Sequence, residues 1–170
     1  QFSQNALQET AAYTLVIENE ADLAGLTEGQ IAEAAARAAK AGQEGKWIFG
    51  LDNPSIMPFL ANADNRELRK QMLEAYLNRC NNNNENDNKE VIKKLVDLRL
   101  KRAQIMGAES AADYILETRM AKTPEAVYNL LDQIWKPALK AAKAEAADMQ
   151  KIIAKEGSDI QLEAWDWRYY

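Results

Sequence analysis

With 170 residues, 47% of them apolar and 28% charged, the chain is long enough for a domain with a sizeable core and has the composition of an ordinary globular protein. A net charge of −5 argues against a broad nucleic-acid-binding face, and no apolar run approaches the ~20 residues of a membrane span. The chain has no histidine, which excludes imidazole-built zinc sites, His-based triads and a histidine general base within it.

In chain order, "QFSQNALQETA" (1–11) reads as the tail of a helix. The chain opens on Gln1 rather than Met, so the lack of a visible signal peptide carries no weight. "YTLVI" (13–17) is β-branched and aromatic and reads as a short strand. Glu18, Glu20 and Asp22 follow in a loop before "LAGL", with no sign of one desolvated acid beside a charged one. Thr27 with Gln30 forms a capping-box pattern that opens a helix over 28–42, with Ile31, Ala35 and Ala38 on one face and Gly42 as the stop. "WIFGL" (47–51) reads as a second strand. The intervening helix lets the two strands form a βαβ-like pair or join a sheet separately.

Asp64 with Glu67 opens a helix over 65–79, with Leu68, Met72 and Tyr76 on one face and Leu73 and Leu77 beside them. Cys80 lies three residues beyond Leu77 and reads as a small buried hydrophobe rather than a nucleophile. Arg66 and Arg69, in "DNRELRK", either clamp a carboxylate or serve in capping and surface pairing. "NNNNENDN" (81–88) reads as a solvated connector; it lacks the central Gly and trailing Glu of a calcium loop.

Asp87 with Glu90 opens a helix over 88–107, whose Ile92, Leu95, Val96, Leu98, Leu100 and Ile105 form an apolar surface wide enough for partners on two sides. Ser110 with Asp113 marks a start near 111, and Thr123–Pro124 marks another. The helix over 124–156 carries a Val127, Leu131, Ile134, Ala138 seam that moves over to Ala142, Ala146, Met149 and Ile153. Pro137 predicts a kink or break near Lys136. The fold class is therefore mainly α: one irregular multi-helix region over 1–170 with two short strands. The chain ends in "LEAWDWRYY", which concentrates Trp165, Trp167, Tyr169 and Tyr170 in six residues. There is no glycine-rich phosphate loop and no second cysteine for a disulfide. No catalytic residue and no metal ligand can be assigned.

"FSQN", "ADLAGL", "DNRELRKQMLEAYLNR", "DNKEVIKKLVDLRLKRAQIMG", "ADYILETRMAKTPEAV" and "WDWRYY" follow one another through nearly the whole chain. In that order they resemble the pre-catalytic region of the zinc metallopeptidase family of thimet oligopeptidase, oligopeptidase A and peptidyl-dipeptidase Dcp. The Dcp branch is nearest, through "FSQNALQET" and "ENEADLAGL". "IMGAESAADY" departs from the pattern, where relatives often carry an aromatic after the glycine.

The resemblance implies an excised piece of a zinc peptidase that acts on short peptides, with an HExxH helix in the missing catalytic half. It implies zinc in the parent enzyme and no cofactor in this piece. The piece would be channel wall and scaffold, inactive alone, its partners being the missing N- and C-terminal parts of the same polypeptide. Excision predicts exposed apolar patches around Trp165, Trp167, Tyr169, Tyr170 and the helix at 88–107, with self-association. An endopeptidase of the oligopeptidase A or thimet type is the alternative within the family. A stand-alone helical interaction module is the alternative outside it, though helix lengths are uneven and no repeat period recurs. The substrate-binding residues stay unassigned. A single cysteine fits a reducing cytoplasm and is compatible with the periplasm.

Overall fold

A computed structural model describes residues 1–170. Its elements are α1 (Phe2–Ala12), β1 (Leu15–Ile17), a 3-10 turn (Glu20–Leu23), α2 (Glu28–Lys40), β2 (Trp47–Phe49), α3 (Asn53–Asn62), α4 (Arg66–Leu77), α5 (Lys89–Ile105), α6 (Ala111–Leu116) and α7 (Pro124–Lys155). The chain divides into two compact units, one of Gln1–Asn88 with Met149–Tyr170 and one of Lys89–Asp148. The mainly α class holds, with the strands as its only sheet.

In the first unit the core is built from both strands, α2, α3 and α4: Leu15, Ile17, Leu23, Ala34, Phe49, Leu51, Ile56, Phe59, Leu60 and Met72 are all buried. Phe49 of β2 meets Phe59 of α3 with ring centroids 4.8 Å apart. The strands pair antiparallel, Leu15 opposite Phe49 and Ile17 opposite Trp47, so the βαβ-like option is excluded. A parallel pair needs a crossover that returns to the starting edge; here the 3-10 turn and α2 lead the chain back in the opposite direction. The strands are also shorter than 13–17 and 47–51, three residues each. Two such strands are marginal in water, and the helices packed on them supply the rest.

Thr27 caps α2 as its sequence predicts. Its backbone N–H donates to Gln30 Oε1 (2.9 Å) and its Oγ1 accepts from the Gln30 amide (3.3 Å). Thr27→Ala removes half of that exchange and is expected to lower stability by about 1 kcal/mol, read as an unchanged m-value with an earlier urea midpoint. At α4 the cap moves by one residue: Asn65, not Asp64, accepts from the Leu68 amide. Asp64 has another task, described below. Helix α3 has no counterpart in the sequence reading. Pro54 sits in its first turn, where proline is tolerated, but Pro58 lies inside it, where proline ordinarily argues against a helix. Burial of Ile56, Phe59 and Leu60 outweighs that loss.

Helix α1 is held by polar contacts. Glu9 accepts from the side-chain amides of Asn82 and Asn84, at 2.6 Å each, and from the Cys80 amide at 3.3 Å. Asn5 donates to Asn88 Oδ1 (2.9 Å), Asn88 donates to the Phe2 carbonyl (3.1 Å), and Arg79 donates to Thr10 (2.8 Å). The asparagine run is thus a connector moulded around α1, and Asp87 Oδ2 accepts from the Asn83 amide within it.

The second unit has a different character. Ala103 is its only buried residue. Ser110 caps α6 by accepting from the Asp113 amide (3.2 Å), and Thr123 caps α7 by accepting from the Ala126 amide (3.2 Å). Helix α7 runs without a break through Pro137, which leaves only the kink of the kink or break expected near Lys136. Residues 128–141 are all exposed, so the carbonyl left without a partner by Pro137 faces water. The predicted exposed surface on α5 is present: Ile92, Val96, Leu98, Leu100 and Ile105 are each at least 41% exposed.

Candidate functional site

Three stretches of the first unit converge: the turn at Ala24–Gly25, the elbow between α3 and α4 at Asn62–Arg66, and the closing segment. Arg66 and Arg69 are three apart at the start of α4, so both project from one side of its first turn. Opposite them lies Asp166, fully buried. Arg66 grips it with two groups: Nε donates to Oδ1 (3.0 Å) and Nη2 donates to Oδ2 (2.8 Å). Arg69 Nη2 donates to Oδ1 (2.9 Å), and the Glu163 amide donates to Oδ2 (3.0 Å).

Arg69 is 2% exposed and almost fully used. Besides Asp166 it donates through Nη1 to the carbonyls of Ala63 (2.7 Å) and Asp64 (3.1 Å), and through Nε to that of Trp165 (3.3 Å). The Tyr169 ring lies 4.0 Å from its guanidinium carbon, and Tyr169 OH donates to Asp64 Oδ1 (2.8 Å). The Trp165 ring is flanked by Arg66 at 5.4 Å and Lys70 at 5.2 Å. Gln150, near the end of α7, pins the start of the same segment by donating to the Ile160 carbonyl and accepting from the Leu162 amide.

Of the two readings of Arg66 and Arg69, the carboxylate clamp is the one the structure realises, and the carboxylate is the chain's own Asp166. Both guanidinium groups are engaged by it, Arg69 fully buried and Arg66 with a partly exposed side chain. Burial pushes the Asp166 carboxyl upward, but hydrogen bonds from Arg66 and Arg69 more than offset this and hold it below the ordinary aspartate value. The charge is kept, and the cluster serves to hold rather than to transfer a proton.

The closing aromatics form the predicted exposed patch only in part. Trp165 and Tyr169 are half-buried against these cations and Tyr170 against the Tyr169 ring, while Trp167, at 41%, stays exposed. Asp166 matches no catalytic or metal-binding spacing in the sequence, although an aspartate among four aromatics is itself a signal: acids in apolar surroundings are retained when paired.

Beside the cluster lies an open cleft of about 740 Å³ lined by Leu60, Leu73, Leu77, Trp165, Trp167 and Arg168. That volume is within the range of ligand sites. Its lining offers no general base, nucleophile or acid pair, so it can bind but not react. Cys80 is buried, as expected; burial and then the charge of Glu9 raise its thiol above the usual value, which leaves it unreactive. No group of three or more His, Cys, Asp or Glu side chains is placed to hold a metal ion. The residues present therefore do not fit a zinc site. No helix is long and apolar enough to cross a membrane.

The model of peptidase family M3 matches residues 59–170, more than half of the chain. Over its full length the chain is 34% identical to the dipeptidyl carboxypeptidase of Escherichia coli strain K12 and 35% identical to the oligopeptidase A of Salmonella typhimurium strain LT2, covering 25% of each protein. It is also 28% identical, over 99% of its length, to a probable cytosolic oligopeptidase A of Arabidopsis thaliana, again covering 25% of that protein. The chain thus spans about a quarter of the length of the curated relatives it matches.

Proposed function

The chain belongs to peptidase family M3, and from that membership we propose that it is the pre-catalytic part of a zinc-dependent peptidyl-dipeptidase that removes C-terminal dipeptides from short peptides. The end-to-end similarity to a dipeptidyl carboxypeptidase four times as long is the observation that carries this reading. Within such an enzyme these residues are wall and scaffold. Arg66, Arg69 and Asp166 fix the closing segment on α4, and the second unit offers helices with apolar faces to further polypeptide. Zinc ligands and the general base lie on other residues of the longer protein, since this chain has no histidine and no metal-binding group. The 170 residues alone are expected to be inactive, and the working compartment is expected to be the cytoplasm, with the periplasm as the other option.

The test starts with the reading frame beyond the Tyr170 codon, where an HExxH helix motif is expected, two imidazoles for zinc and a glutamate as base. A stop codon there ends the proposal. The second reading, an oligopeptidase of the A type, is favoured by an identity just as high. Product analysis on peptides with free and blocked C-termini separates the two. A peptidyl-dipeptidase needs the free carboxylate, and an endopeptidase does not.

A further inference from the structure

We propose that the face of α7 bearing Tyr128, Leu131, Trp135 and Leu139 is a seat for an apolar helix face contributed by the same polypeptide outside residues 1–170. The inference rests on the reading that the chain is part of a longer family M3 peptidase.

From Tyr128 to Ala141 every residue of α7 is exposed, Leu139 at 37%. The stretch carries six large apolar side chains in that state, among them Tyr128 at 66% exposure and Trp135 at 63%. A helix of this length without tertiary contact is marginal in water, and Pro137 removes one of its hydrogen bonds. Residues 128, 131, 135 and 139 recur in steps of three and four, the spacing that seats one helix in the groove of another. With Ala103 alone buried in the unit, no core of its own competes for this stripe.

The length of the relatives points to the occupant, because three quarters of each lies outside the matched span. A second copy of the chain is the weaker candidate. The bare stretch is roughly 20 Å long, and one helix pair of that length falls short of the ~800 Å² per partner typical of stable interfaces. Charge adds a requirement. Glu125 and Asp132 flank the first half of the stripe, while Lys136, Lys140 and Lys143 flank the second. The seated helix therefore carries cations beside the former and anions beside the latter.

Thiol labelling tests the seat. Leu131→Cys lies on the stripe and Gln133→Cys, at an exposed position, on the opposite side of α7; buried Cys80 gives a slow common background. In the 170-residue chain both introduced thiols should react at the rate of a free thiol. In the longer polypeptide of the same reading frame, Leu131→Cys should slow by at least about 100-fold while Gln133→Cys stays within about 3-fold. Equal, fast labelling of both in a longer polypeptide that hydrolyses peptides overturns the seat and leaves the peptidase reading standing. A frame that ends at Tyr170 overturns both. Slow labelling of Leu131→Cys in the 170-residue chain that deepens with its concentration makes a second copy the occupant and overturns the proposal as stated.

Discussion

Asp166→Ala is expected to cost about 3–5 kcal/mol of stability, the range for removing one partner of a buried ion pair. Most of that loss comes from what remains. Arg69 is 2% exposed and cannot turn to water, so its charge stays buried with only carbonyl partners. Arg66, with a side chain 27% exposed, can be re-solvated and contributes less. Asp166→Asn keeps the shape and one acceptor, and should cost clearly less than the alanine. Urea unfolding followed by far-UV circular dichroism separates the variants, and a loss below about 1 kcal/mol for Asp166→Ala would show that the closing segment is not seated on α4.

The same cluster predicts the response to acid. The folded carboxyl of Asp166 titrates below the unfolded one. The stability it contributes is therefore complete above the unfolded aspartate value, near pH 4, and lost as pH falls through the lower folded value. Wild type should weaken steeply in that window, and Asp166→Asn should be flatter there. A parallel acid limb in the two proteins contradicts this account.

These contacts explain which parts of the fold could be read in advance. Helix starts were legible where the signal is local: Thr27 with Gln30 and Thr123 with Pro124 act within a single turn, and α2 and α7 begin at Glu28 and Pro124. Strand direction was not, because pairing of Leu15 with Phe49 depends on the whole path between them. Helix α3 was missed because its prolines lower local helix propensity, while burial of Ile56 and Phe59, a tertiary effect, overrides it. In the candidate site, the spacing of the two arginines admits a carboxylate clamp but favours the commoner roles of capping and surface pairing. Their partner is not legible, because Asp166 is about a hundred residues away and nothing in an unaligned sequence couples the two. The asparagine run is the solvated connector that its composition suggests, with residues 81–85 exposed, but its anchor on Glu9, on a helix far upstream, is not visible in the sequence.

Gly25→Ala should be more disruptive than any other glycine substitution in the chain. Gly25 has φ +83°, and a Cβ there would stand 2.1 Å from the Asn62 carbonyl oxygen and 2.5 Å from Asp64 Oδ1. The left-handed conformation alone costs an L-residue roughly 1–2 kcal/mol. The contact with Asn62 is with backbone at the end of α3 and cannot be relieved by a rotamer change. Any shift there also reaches the cluster, since the Asp64 amide donates to the Ala24 carbonyl, Asp64 Oδ1 accepts from Tyr169, and the carbonyls of Ala63 and Asp64 accept from Arg69. The total is expected to exceed about 4 kcal/mol, the range reserved for a few specific mechanisms. Gly42→Ala isolates the cause. Gly42 has nearly the same φ, +70°, but nothing lies within 4 Å of its added Cβ, so it should show the conformational cost alone. Equal losses at the two positions would mean that the elbow yields freely, and that the turn at Gly25 does not brace the Arg69 cluster.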